Sequence, residues 1–289
     1  MKKITSKKCE SPLDSYSKND VSVAADIQTQ PGDLLLRDRG YFLIDLIGQM
    51  KSTQVDTISR YKHGTTLYDS TNGQPIDLFD LLTREGSVDR IVLAGSRKHV
   101  RVRLLAAPVT EEIANLRRMK AKKETKGHAP SDELLRLLSW SIFLVTIEDP
   151  ALTLASVLQI YGLRWRIENI FKTWKSNFSF AKLHNVSRNQ LTILLLARFI
   201  VITLCHRAFV RLQPEILSAC HRHLSLIKFM RFLSLRIAIL PALFTPGACT
   251  TALFNGIVRC CTYECRKRRN FADLTGDAVL ALQNLCPLT

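Results

Sequence analysis

The sequence predicts an α/β chain with a β-rich middle and a mainly helical C-terminal part. Three observations predict it: short apolar runs of strand length, helical periodicity between and beyond them, and a change of texture in the middle of the chain. Residues 33–37 (DLLLR) form an apolar run of strand length just after the Pro31-Gly32 turn signal. Asp38-Arg39-Gly40-Tyr41 breaks that run, so Asp38 sits where a strand ends and its connecting turn begins. Helical spacing follows over 42–50, and 55–61 reads as a second strand. From His63 to about Gly127 the texture is β-rich, with a hairpin-type turn at Asn72-Gly73 and strands over 90–94 and 100–106. Residues 110–126 read as a charged helix, dense in Arg117, Arg118, Lys120, Lys122, Lys123 and Lys126. A loop over 127–130 and a helical turn over 132–138 lead to an apolar strand at 140–147 (WSIFLVTI). The longest helix is expected over 152–177, followed by helices over 190–212 and 215–235 and a weaker tail.

With 289 residues and 46% hydrophobic side chains, the chain can bury a substantial core. Forty-one Lys and Arg against twenty-five Asp and Glu leave a net charge of +16. That surplus points to a polyanion, either nucleic acid or an anionic membrane surface, although a merely basic surface has the same composition. The N-terminus MKKITSKKCESPLDS has no apolar stretch after its lysines and is not a secretory signal. The most apolar run, 191–205, is interrupted by Arg198 and falls short of the roughly twenty residues that span a bilayer. It is expected to be a buried core helix, which counts against a membrane partner. The eight cysteines contain no CxxC pair and are expected to be reduced thiols in a cytoplasm. Cys260, Cys261 and Cys265, with His221 and His223, match no common zinc spacing.

At about 100° per residue, Tyr161, Arg164, Glu168 and Lys175 share one helical stripe about 60° wide. Leu163, Ile167, Ile170, Phe171 and Trp174 gather on a side expected to face the core. Spacing alone favours a solvated stripe in which Glu168 pairs with Arg164 four residues earlier. The residue identities add more. Tyr161-x2-Arg164-x3-Glu168-x6-Lys175, within YGLRWRIENIFKTWK, is similar to the Y-R-E-K signature of transposases of the bacterial insertion-sequence-4 family. Upstream, DLLLRDRGYF resembles that family's strand carrying its second catalytic Asp. Trp140 precedes Glu168 by the interval of the tryptophan that stacks on a flipped base in relatives. The resemblance covers roughly residues 18–235.

The resemblance implies an RNase H-like catalytic core, incomplete at its N-terminal strands, with a β-rich insertion. The implied organisation is an N-terminal remnant over 1–30, a first core part over 31–62, an inserted subdomain over 63–147, the Glu helix and following helices over 148–235, and a tail over 236–289. It implies DDE cut-and-paste transposition: transposon-end cleavage, hairpin formation and strand transfer with two Mg²⁺ ions. Asp38 and Glu168 would supply two of the three carboxylate ligands. Tyr161, Arg164 and Lys175 would grip phosphates near the transposon tip, and Trp140 would stack on an extruded base. For Trp140 alone, filling the junction between insertion and core is an equal alternative. The basic stretch 117–126 is read as a non-specific DNA contact or as a solvated face.

The implied first Asp is the difficulty. Only thirty-seven residues precede Asp38, and none of Glu10, Asp14, Asp20, Asp26 and Asp33 follows a clear apolar strand; Asp14 is the least unsuitable. A truncated copy is therefore expected, and the alternative is a catalytically inactive DNA-binding remnant. Expected partners are DNA (transposon ends and target) and a second copy as a homodimer on DNA, with no membrane. The expected location is the bacterial cytoplasm, at the nucleoid.

Overall fold

The structure is a computed structural model that describes residues 28–124, 129–179, 186–245, 250–263 and 271–285. Glu10, Asp14, Asp20, Asp26 and Cys265 lie outside the described residues. The chain divides into two compact units, 1–161 with 278–289 and 162–277, and each is described by itself.

In the first unit, β1 (Leu34–Arg37) runs into a short 3-10 turn at Arg39–Tyr41 and then α1 (Ile44–Ser52), which returns the chain to β2 (Asp56–Arg60). β1 and β2 are parallel, with Leu35 opposite Thr57 and Arg37 opposite Ser59. A parallel neighbour needs a crossover, and α1 supplies it. The sheet continues through β3 (Leu67–Asp69), β4 (Val88–Ala94), β5 (Val100–Pro108) and β6 (Trp140–Val145). Its order is β1-β2-β6-β5-β4-β3, and every pairing after the first is antiparallel. The α/β class is therefore observed as a six-stranded mixed sheet. The β-rich stretch is continuous with β1 and β2 through the β2–β6 ladder, so the boundaries expected at 62/63 and 147/148 both fall inside this unit.

β5 and β6 are the best buried strands, with Val102, Leu104, Leu105, Phe143, Leu144 and Val145 almost wholly enclosed. α1 and α2 (Leu78–Glu85) enclose one face. Asp77 caps α2 by accepting from the Asp80 N–H, and Leu78, Leu81 and Leu82 form its buried face at i, i+3 and i+4. α5 (Leu154–Gly162) covers the other face through Val157, Ile160 and Tyr161. Gly95, in the turn between β4 and β5, has φ +89°, and a Cβ there would stand 2.7 Å from Ile44 Cγ2. Glycine meets both demands. α3 (Glu111–Glu124) and α4 (Asp132–Leu137) sit between β5 and β6 in the chain.

The helix expected over 152–177 is in fact two, α5 and α6 (Arg164–Asn177). The interruption is the single residue Leu163, beside Gly162, where glycine supports a helix poorly and the next turn opens with a bond from the Arg166 N–H to the Leu163 carbonyl. In the second unit, Ile167 and Phe171 on α6 are exposed and Thr173 is its buried residue, contrary to the core face expected from periodicity. Trp174 instead packs edge-on against Phe171 and Phe199, with ring centroids 5.4 and 5.5 Å apart.

α7 runs unbroken from Arg188 to Cys220, across Pro214 and the gap expected between helices over 190–212 and 215–235. Leu212 and Ile216 on either side of Pro214 are both buried in the cluster with Phe229 and Met230, and that packing outweighs the proline's lost N–H. The apolar stretch near its start is not the buried core helix expected, since Ile193, Leu196 and Ile200 are exposed while Leu195 and Ile202 are buried. By length and composition alone α7 is apolar enough to cross a membrane. α8 (Leu226–Ser234) and α9 (Thr251–Cys261) complete the helical cluster, and α10 (Phe271–Leu285) ends the described chain, with Ala281 buried in the first unit.

Candidate active site

Asp38 stands at the carboxyl end of β1, where the strand's hydrogen bonding to β2 stops and the turn to α1 begins. Its Oδ1 accepts the Arg39 N–H at 2.8 Å and its carbonyl accepts the Tyr41 N–H at 3.0 Å, so the acid caps its own turn. The side chain is half-buried. Glu168 is on α6, and Arg164 one turn earlier donates Nη1 to its Oε1. The Glu168 side chain is 43% exposed and that of Arg164 only 16%, so the cation is the sheltered partner. Lys175 is exposed two turns further along the same face. Arg164 also lies over the Trp165 ring, 5.4 Å from its centroid.

The structure places Arg164, Glu168 and Lys175 on one helix, α6, and Tyr161 on the preceding helix, α5. Tyr161 belongs to α5, is 7% exposed, and donates its hydroxyl to the Arg37 carbonyl at 3.3 Å. Its ring meets Phe143 edge-on, with centroids 5.1 Å apart. Its spacing from Val157 and Ile160, at i+4 and i+1, was the available signal of a core position.

Trp140 opens β6 and packs against the core, edge-on to Phe79, with its indole N–H donating to the Gly86 carbonyl at 3.3 Å. It also lines a cleft of about 400 Å³ whose wall carries Arg39, Arg60, Arg117 and Lys120, with Glu124 the acid beside Lys120. Sequence reasoning missed Arg39 and Arg60 as cleft residues. Arg117 donates to the Trp140 carbonyl at 2.9 Å and to Ser141 Oγ at 3.0 Å. Burial first, and the nearby charges of Arg60 and Arg39 second, hold its guanidinium down to about 10. Arg118 donates to Glu111 and Asn115 at 2.7 and 2.8 Å and also bonds Ser139 Oγ. The two arginines thus pin α3 to the segment entering β6, a structural use that the reading of 117–126 as a DNA contact or solvated face did not anticipate. Among the described residues, no three His, Cys, Asp or Glu side chains are gathered as a metal site.

Residues 12–204 match the transposase DDE domain. The chain is 30% identical over 217 residues to the transposase for insertion sequence element IS231E of Bacillus thuringiensis subsp. finitimus, covering 68% of this chain and 45% of that protein. It is 28% identical over 233 residues to the IS231B transposase of Bacillus thuringiensis subsp. berliner, covering 73% and 48%. It is 26% identical over 245 residues to the IS1151 transposase of Clostridium perfringens, covering 75% and 51%. The chain thus spans about half the length of the curated relatives it matches. That domain match spans two thirds of the sequence, and the chain belongs to the DDE transposase domain family.

Proposed function

We propose that this chain is the catalytic-core portion of a cut-and-paste DNA transposase of the insertion-sequence-4 type, with an RNase H-like core. The observation that carries the reading is Asp38 at the carboxyl end of a strand in a parallel β–α–β unit, where α/β sheets present their reactive groups. Asp38 and Glu168 are the acids assigned to the reaction. Both are hard oxygen donors of the kind that hold Mg²⁺, and a metal at Glu168 would share the carboxylate with the Arg164 guanidinium, which occupies Oε1. Two such ions would polarise the scissile phosphodiester and lower the pKa of the attacking water or 3′-hydroxyl.

The chain's own cations bind and orient the DNA. Arg164 and Lys175 hold phosphates of the transposon end, and a cation shared between Glu168 and DNA links the two events. Trp140 and the basic cleft of Arg39, Arg60 and Arg117 accept a nucleotide drawn out of the duplex, the ring against the base and the guanidinium groups against its phosphates. Partners are transposon ends, target DNA and a second copy of the chain, and the site of action is the cytoplasmic nucleoid.

The test is cleavage of DNA bearing the element's terminal repeats, with divalent cation present and removed. Metal-dependent nicking that is lost on Glu168→Ala supports the enzyme. Binding without nicking supports the second reading, an inactive DNA-binding remnant, which is favoured by the engagement of Glu168 with Arg164.

A further inference from the structure

We propose that Tyr161 is a positioning residue for Asp38: its hydroxyl holds the last carbonyl of β1 and so fixes the turn that presents the carboxylate. The proposal rests on the reading of Asp38 as a member of the catalytic set. Tyr161 and Arg37 are 124 residues apart in sequence, and the contact between them is buried. At 7% exposure, with its proton given to a carbonyl, the hydroxyl is not presented to a phosphate.

The Arg37 backbone is clamped from both faces of the sheet. Leu34 and Leu36 pack into the cluster that contains Tyr161, Phe143 and Ile160. Alternation sends Leu35 and Arg37 to the opposite face, toward α1. There the Arg37 guanidinium donates to the Tyr41 carbonyl and to Met50 Sδ, each at 3.2 Å. It is 4% exposed, burial lowers its pKa, and its Nε is buried without a hydrogen-bond partner among the described residues. A cation kept there at that cost contributes geometry: it ties the strand end, the 3-10 turn and α1 into one rigid corner. Asp38 is the next residue, and the whole turn hangs from that corner. The Tyr161 bond is longer than the usual O–H···O range and the ring stays packed on Phe143, so removing the oxygen leaves the fold intact.

The experiment compares the full chain with Tyr161→Phe by amide hydrogen exchange and by Mn²⁺ titration. Exchange at the Tyr41 and Phe42 amides, which bond the Asp38 and Arg39 carbonyls, is expected to speed up about two- to threefold, with Leu104 and Leu105 in β5 unchanged. Mn²⁺ affinity is expected to fall in parallel. Unchanged exchange in the turn overturns the proposal, as does equal acceleration throughout the sheet. Weaker binding to a DNA end with the turn unaltered also overturns it, and makes Tyr161 a phosphate contact. Asp38→Asn without effect on Mn²⁺ binding overturns the reading of Asp38 itself, and the exchange arm then still decides whether Tyr161 holds the turn.

Discussion

Arg164 and Glu168 are joined by a hydrogen-bonded ion pair across one turn of α6, so the carboxylate assigned to the metal is already engaged by a cation. An i,i+4 pair of this kind is worth roughly 0.3–0.5 kcal/mol, about a twofold effect on a competing equilibrium. Arg164→Met is expected to raise Mn²⁺ affinity about twofold while weakening binding to a DNA end. Calorimetric titration of both ligands checks this, and unchanged Mn²⁺ affinity contradicts it.

A second ion pair supports the sheet. Arg103 on β5 donates to both Asp89 carboxylate oxygens at 2.7 Å and to the Asp149 carbonyl at 2.6 Å. Its side chain is 5% exposed, so it depends on these acceptors. Asp89→Ala leaves a buried guanidinium short of an acceptor and is expected to cost about 1–3 kcal/mol. Urea denaturation of the two chains measures the difference, and an unchanged midpoint contradicts it.

The cleft beside Trp140 should bind a short single-stranded oligonucleotide. Arg117→Met or Arg60→Ala is expected to weaken binding and to reduce the log–log salt slope by about 0.7 each. Burial holds the Arg117 guanidinium down to about 10, well below its ordinary range, so affinity should fall as pH rises through about 10. The sign for stability is opposite. The desolvated charge opposes folding below about pH 10, and that penalty is relieved as pH rises from there toward the ordinary guanidinium range. An oligonucleotide phosphate offsets the same penalty at neutral pH, so it should raise Tm. Fluorescence anisotropy and thermal melts across pH read both effects.

Much of this fold was legible because apolar runs coincide with strands: 33–37, 55–61, 100–106 and 140–147 each lie within two residues of β1, β2, β5 and β6. β3 was not, since three residues carry no usable alternation. α2 was missed although Asp77 and the Leu78, Leu81, Leu82 spacing announce it. Longer errors came from packing that a local pattern does not encode. Pro214 argued for a helix end, but buried Leu212 and Ile216 carry α7 through it. The helix expected over 152–177 is instead interrupted at Leu163, between α5 and α6. Asp38 was placed correctly at a strand end, and Arg164, Glu168 and Lys175 do share a helix. Tyr161 was phased with them on one continuous helix, and on α5 it packs inward against Phe143.

The most direct test of the central claim is nicking of terminal-repeat DNA by the full chain and by Glu168→Ala, with Mg²⁺ or Mn²⁺ supplied and then chelated. The account predicts nicking that requires the divalent cation and disappears in Glu168→Ala while DNA binding persists. Nicking that survives Glu168→Ala, or DNA binding with no metal-dependent nicking in the unaltered chain, would contradict it.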